Sequence, residues 1–292
     1  MDKVELSFIT INYNSSSYTI KLLKSIIANT QGLTYEIIIV DNASTQDDFH
    51  ILNKYVNGNK SIKLIKNSIN SGFAAGNMLG VNYAQGEYYF FINNDIALVT
   101  AKVLDDKGKY SSSYKQFPHV LKQLFGNSIQ RIFTNNKFPS NKINLNNISE
   151  VEVVSGSCMF FKADIFCKIG GFDTVFFLYC EEEDICKRVW DYGEKVYFVP
   201  EAKVYHKAGG STSQSFLMEQ EFYISYYHLL EKHYGILGRA LLKLALFFKL
   251  FCRLFKKKNG LKIFSSMLSG FSKKDSLRYK QIIKIKGEEV VI

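Results

Sequence analysis

Proline and cysteine are scarce in this chain, and one long segment has no acidic residue at all. Three prolines stand in 292 residues beside abundant Asn, Lys and Ile, a bias of coding rather than of chemistry. The five cysteines (Cys158, Cys167, Cys180, Cys186, Cys252) are odd in number and nowhere spaced C-x-x-C. That excludes a disulfide framework and a cysteine zinc site, and predicts reduced thiols in a cytosolic protein. No secretory leader is expected, because Met1-Asp2-Lys3 runs straight into a strand-like segment. The formal net charge is +10, yet from Lys232 to Lys274 there are eleven Lys or Arg and no Asp or Glu. The excess belongs to the C-terminal part and the rest is close to neutral, which argues against a nucleic-acid-binding surface spread over the fold. No G-x-G-x-x-G follows the first strand, so a dinucleotide-dependent oxidoreductase is disfavoured.

What is present is a core and a rhythm. Hydrophobic residues make up 47% and aromatics 15%, enough for one large domain or a domain with an appendage. Over residues 4–93, strand-like runs at 4–11, 36–40, 61–65 and 87–92 alternate with helical patterns at 18–28, 47–56 and 74–84. Strands apolar on both faces, separated by helices of about ten residues, predict an α/β fold with a mostly parallel sheet flanked by helices. Residues 101–150 are poorly patterned and read as a variable, partly helical insertion. Pattern resumes with strands at 151–154 and 158–161 and a short helix at 163–168. A helix at 182–192 closes on Gly193, and a strand at 195–199 stops at Pro200.

In such sheets ligands sit beyond the carboxyl ends of the strands. A polar cluster follows each of the first four: Asn12-Tyr13-Asn14, Asp41-Asn42-Ala43-Ser44, Asn70-Ser71-Gly72-Phe73 and Asn93-Asn94-Asp95. Each alone is explained as a cap or turn, but four at one edge point to a shared crevice. Asp41 suits the imide N–H of a pyrimidine base, and Asn42 and Ser44 a base or ribose. The segment NSGFAAGN puts glycines ahead of a helix N-terminus, a fair place for a nucleotide. Gly76 and Gly80 serve close helix–sheet packing equally well. Asp95 is the candidate ligand for Mg²⁺ or Mn²⁺, with His206 as its companion, which would favour Mn²⁺. In LYCEEEDICKR, Glu181, Glu182, Glu183 and Asp184 open a helix. Acidic residues there complement the helix dipole. The preceding Phe176-Phe177-Leu178-Tyr179 is poor company for a solvated cap, however, and a carboxylate near aromatic surface can act as a general base.

The order ITINYNS, IIIVDNAST, NSGFAAGN, FFINND, VSGSCMFFKADIFCKIGGFD, FFLYCEEEDICKRVWDYG, VYFVPEAKVYH resembles glycosyltransferase family 2, of GT-A fold, in its rhamnosyltransferase-like branch. The resemblance covers residues 4–235 and implies a catalytic domain over 1–235. It implies that Thr10, Asn12, Asn14, Asp41, Asn42 and Ser44 hold the nucleotide, and that Asn70, Gly72, Phe73, Asn77, Asn93 and Asn94 line the nucleotide-sugar pocket. Asp95 would bind the metal with His206. Glu182, at the position of the base, would deprotonate the acceptor hydroxyl, with Glu181 as the alternative. The donor would be a dTDP- or UDP-linked sugar, and the acceptor a saccharide or lipid-linked hydroxyl in bacterial surface polysaccharide synthesis, attacked in one inverting displacement. Glu instead of Asp at position 182 is one methylene longer, Asn94 replaces a frequent Pro, and Met78 a frequent Asn. The first of these departures is the sole support for an inactive, nucleotide-binding scaffold of the same fold.

Residues 236–255, ILGRALLKLALFFKLFCRLF, form the C-terminal puzzle. At about 100° per residue, Arg239, Lys243, Lys249 and Arg253 fall within an arc of ~120° on an otherwise apolar wheel. Four charges argue against a spanning helix. The stripe suits an anionic membrane surface, reinforced by Lys256-Lys257-Lys258, and predicts a peripheral protein at the inner face of the cell membrane. The alternative is a helix packed on the catalytic domain or on a second copy in a homo-oligomer.

Overall fold

The computed structural model describes residues 3–95, 113–120, 145–201, 215–257 and 259–281, and the backbone of 102–104, 203–205, 282–285 and 288–291. The first half alternates strand and helix: β1 (Leu6–Asn12), α1 (Ser16–Asn29), β2 (Tyr35–Asn42), α2 (Gln46–Val56), β3 (Ile62–Asn67), α3 (Gly72–Val81) and β4 (Tyr88–Ile92). Next come the short strands β5 (Lys102–Leu104), β6 (Tyr114–Lys115), β7 (Ser149–Glu150) and β8 (Val153–Val154), then β9 (Cys158–Lys162). The central sheet has the order β3-β2-β1-β4-β9; its first four strands are parallel and β9 runs antiparallel to β4.

Alternation of period two explains the layers. Leu6, Phe8, Ile37, Ile39, Phe90 and Ile92 pack with Leu22, Leu23, Ile26 and Leu52 of α1 and α2. Ile9, Ile38, Tyr89 and Phe91 face the other way, into the core shared with Ala74 of α3. On that side α3 lies very close: a Cβ on Gly80 would meet Ile9 Cγ2 at 2.7 Å, and one on Gly76 would meet Ile11 Cδ1 at 2.8 Å. These two glycines therefore serve packing.

β2 is longer than its apolar run. The parallel register carries Asp41 opposite Asn12 and Lys66, and Asn42 opposite Asn67, so the polar residues finish the strand instead of leaving it. Of the expected insertion, the described parts are β5, residues 113–120 with β6 and a helical Val120 at their end, and residues 145–150 with β7; the remainder lies outside the described residues. The strand expected at 195–199 shrinks to β10 (Tyr197–Phe198), paired with β7.

The second half supplies α4 (Ala163–Lys168), α5 (Glu181–Asp191), β11 (Lys203–Tyr205), α6 (Phe216–His233), α7 (Ile236–Arg253) and α8 (Gly260–Leu268). Two 3-10 turns (Lys273–Asp275, Leu277–Lys280) and a hairpin of β12 (Ile282–Ile285) with β13 (Glu288–Val291) follow. Leu242, Ala245, Leu246 and Leu250 turn α7 inward. The basic stripe does not face outward as a unit. Arg253 reaches Glu219 at 3.1 Å and Lys243 reaches Glu231 at 3.4 Å, both acids being on α6. What α7 leaves exposed is largely apolar: Ile236, Leu237, Leu244, Phe248 and Phe251. No helix among the described residues is long and apolar enough to cross a membrane.

Candidate active site

A cleft of about 430 Å³ opens at the carboxyl ends of β1, β2 and β4. Of the residues singled out from the sequence, Asn42, Asn70, Gly72, Phe73, Asn77, Asn93, Asn94 and Asp95 line it. The other nucleotide candidates form a network beside it. Asn12 Nδ2 donates to Asp41 Oδ2 at 2.9 Å, Ser44 Oγ at 3.1 Å and Asp48 Oδ2 at 2.8 Å. Asn14 N donates to Ser44 Oγ at 2.9 Å, and Asn14 Oδ1 accepts from Thr45 N at 2.8 Å. Asn12, Asp41 and Thr10 are almost completely buried. His206 lies outside the described residues.

The cleft floor is held by side chains bonded across elements. Asn94 Nδ2 donates to Ser15 Oγ at 2.6 Å and Thr19 Oγ1 at 2.9 Å. Asn42 Nδ2 donates to Asn70 Oδ1 at 2.8 Å and Gly72 O at 3.1 Å, which ties the β2 end to the start of α3. Gly72 has φ +79°, and a Cβ there would lie 2.1 Å from Phe177 O. That carbonyl accepts from Phe73 N at 2.8 Å, so α3 and the loop before α5 touch backbone to backbone. Tyr13, Phe177, Leu178, Ser215, Met218, Leu277 and Gln281 complete the wall without having been singled out individually for it. Aromatic residues ahead of an acidic helix were a signal for Phe177; Leu277 and Gln281, far along the chain, carried none.

The acidic start of α5 stands behind a neighbouring turn. Asn93 N donates to Ser157 O at 3.1 Å, while a Cβ on Gly156 would meet the Glu182 carboxyl carbon at 3.5 Å. The turn at 155–157 is thus pressed between the end of β4 and Glu182. Tyr179 and Cys180 enter α5 with φ of 72° and 65°, left-handed backbone that non-glycine residues adopt only under constraint. Ser225 Oγ fixes the approach by donating to Leu178 O at 2.8 Å.

The four carboxyls divide their partners unequally. Asp184 is enclosed: Arg188 reaches it at 2.6 Å, Lys232 at 2.7 Å and His233 at 2.7 Å. Burial would raise its pKa, but His233, Arg188 and Lys232 outweigh burial and hold it at about 2. Asp184 is therefore an anchor between α5 and α6. Lys115 Nζ, from β6, lies 2.6 Å from Glu182 Oε1 and 3.0 Å from Glu183 Oε1. Burial opposes ionisation of Glu182, yet the charge and hydrogen bond of Lys115 keep it below the ordinary carboxylate range. Burial first, then repulsion from Glu182, raises Glu183 to about 7. Burial and the charge of Glu182 push Glu181 well up, and its Oε2 has no hydrogen-bond partner among the described residues. Among these carboxyls Glu182 is the one kept ionised beside the turn.

No group of three His, Cys, Asp or Glu suited to a metal occurs among the described residues. The cleft end nonetheless offers hard oxygen donors and one carboxylate, Asp95. That donor set fits a divalent ion whose other ligands are diphosphate oxygens and water.

A parallel sheet with one antiparallel edge strand, and a cleft over its strand ends, is the architecture of the GT-A glycosyltransferases. Two solved members overlie it. One is GalNAc-T7 with UDP, GalNAc and Mn²⁺ (TM-score 0.54, 16% identity, 77% of this chain and 48% of that one). The other is the mannosyltransferase PcManGT of Pyrobaculum calidifontis with GDP-Man and Mn²⁺ (TM-score 0.54, 13% identity, 91% and 74%). Residues 7–170 match glycosyl transferase family 2, and the chain belongs to that family: it is a glycosyltransferase. Among curated proteins it is 25% identical over 226 residues to the rhamnosyltransferase WbbL of Escherichia coli K12, covering 68% of this chain and 82% of that one. Over 61 residues it is 36% identical to an N-acetylglucosaminyl-diphospho-decaprenol L-rhamnosyltransferase of Mycobacterium tuberculosis, covering 21% and 20%.

Proposed function

We propose that the protein transfers a hexose, with rhamnose the first candidate, from a nucleotide-diphosphate sugar to a hydroxyl of a saccharide or lipid-linked acceptor, with inversion, in surface polysaccharide synthesis. The observation that carries this is Asp95 in the cleft and an ionised Glu182 beside the adjoining turn. The names of the relatives support the sugar and the class of acceptor. Asn42, Asn70 and the α3 N-terminus bind and orient the nucleotide. Asp95 would hold Mg²⁺ or Mn²⁺, which when bound neutralises the leaving diphosphate. Glu182 takes the acceptor proton as that oxygen attacks the anomeric carbon from the face opposite the leaving group. Holding both substrates in line contributes up to about 7–11 kcal/mol. Glu182→Gln is expected to lower turnover at least ~100-fold while nucleotide binding, read by calorimetry, changes little. Retained turnover would remove Glu182 from this role.

The tail fits an anionic membrane surface, which would place the enzyme on the inner face of the cell membrane. The exposed Ile236, Leu237, Phe248, Phe251 and Phe255 lie on the same segment as the exposed Lys249, Lys256 and Lys257. Sedimentation with anionic vesicles at low salt tests it; a protein that stays in the supernatant sinks it.

A further inference from the structure

Glu182 shares one buried corner with two other glutamates, and the sole cation that touches it there among the described residues is Lys115. The arrangement is built on that lysine. β6 pairs with β8, setting Lys115 opposite Val153. Ser155 N donates to Ser113 O at 3.0 Å, Phe117 N to Glu152 Oε2 at 3.1 Å, and Tyr234 Oη to Pro118 O at 2.8 Å. The segment carrying Lys115 is therefore pinned from both sides, to the turn beside Glu182 and to the end of α6. Other cations nearby are committed elsewhere: Arg188 and Lys232 bond Asp184.

Resting on the reading of Glu182 as the base, we propose that Lys115 is a positioning residue for the transfer reaction. Its ammonium holds Glu182 charged and fixed against the 155–157 turn, so that the proton-accepting role falls to Glu182 and not to Glu181 or Glu183. The chemistry requires some such selection. Three carboxyls crowded out of water repel one another, and protons settle on those with the least support. One ammonium at 2.6 Å from Glu182, and slightly farther from Glu183, decides which stays ionised. Among the described residues, the titratable groups facing the corner are Glu181, Glu183, Tyr179, Cys180 and Cys186 from α5 and its entry, Glu152 beside β8, and Tyr234 after α6. None of these supplies a positive charge.

The test is the pH profile of transfer by the full-length protein. Lys115→Met removes the charge and keeps the length. Its acid limb in kcat is expected to move up by about one pH unit or more, with donor KM changed less than about three-fold. Lys115→Arg is expected to keep the limb where it stands. A limb that stays put in Lys115→Met while kcat alone drops would overturn the proposal, as would an arginine variant that behaves like the methionine one. Should Lys115→Met fold poorly, the double variant Lys115→Met/Glu183→Gln, one carboxyl fewer, carries the same expectation. Infrared absorption of the carboxylates, titrated without substrate, gives a readout that needs no turnover. In a Glu183→Gln background, where no second carboxyl can take up the charge beside Lys115, Glu182→Gln should remove an ionised carboxylate at neutral pH when Lys115 is present but not in Lys115→Met, and equal loss in both would also overturn it. Absence of transfer in the wild type would instead defeat the proposed function.

Discussion

Single residues decide what the α5 entrance can do. Glu183, raised to about 7, binds a proton more readily folded than unfolded. Its contribution therefore weakens stability as pH climbs from the ordinary glutamate value near ~4.3 to about 7. Glu183→Gln is expected to gain about 1–2 kcal/mol at pH 8, with the gain fading toward pH 4 in chemical denaturation. Asp184 has the opposite sign. Held at about 2, it stabilises the fold above its ordinary value and loses that contribution as pH falls from ~4 toward 2. Asp184→Asn strands Arg188, Lys232 and His233 around a neutral amide and is expected to cost about 3–5 kcal/mol at pH 7. An unchanged urea midpoint would contradict the anchor role. Lys115 was invisible in the sequence for a physical reason: its segment has no periodicity, and only a two-strand pairing brings it to Glu182.

Elements were easier to read than side-chain alliances. The strands of the parallel sheet announced themselves because both faces are buried, and their polar ends because unpaired polarity after such runs is rare. What patterning could not separate was a polar residue lining the cleft from one bonded inside the wall. Asn42 and Asn12 look alike in sequence, yet Asn42 lines the cleft and Asn12 gives its amide to three oxygens beside it. The α3 junction makes the sharpest prediction at this scale. Gly72→Ala forces left-handed backbone and a Cβ onto Phe177 O, so it is expected to cost about 2 kcal/mol or more and to weaken nucleotide binding. Calorimetry and thermal melts check both effects, and a neutral substitution would mean that the two backbones part easily.

At the scale of the molecule, the C-terminal helices divide into an inner and an outer face. Leu246 on the inner face of α7 is 3% exposed; Phe248, two residues on, is 53% exposed. Phe248→Glu is expected to abolish vesicle binding with the melting temperature kept, whereas Leu246→Glu should unfold the helix pair, as circular dichroism would show. Amphipathicity was legible from residues 236–255, but not the direction of its basic stripe. That depends on Glu219 and Glu231 of α6, which draw Arg253 and Lys243 inward.

Beyond those helices the chain returns to the cleft. Glu221 accepts from Ser276 Oγ at 3.0 Å and Leu277 N at 2.7 Å, and Arg278 bonds the carbonyls of Thr174 and Val175, just ahead of Phe177. Leu277 and Gln281 then close one side of the cavity. Cutting the polypeptide after α6 to shed its greasy exterior would also strip Leu277 and Gln281 out of the wall of the candidate site. A shortened enzyme that dissolves better but catalyses worse would be suffering from architecture, not from lost contact with lipid.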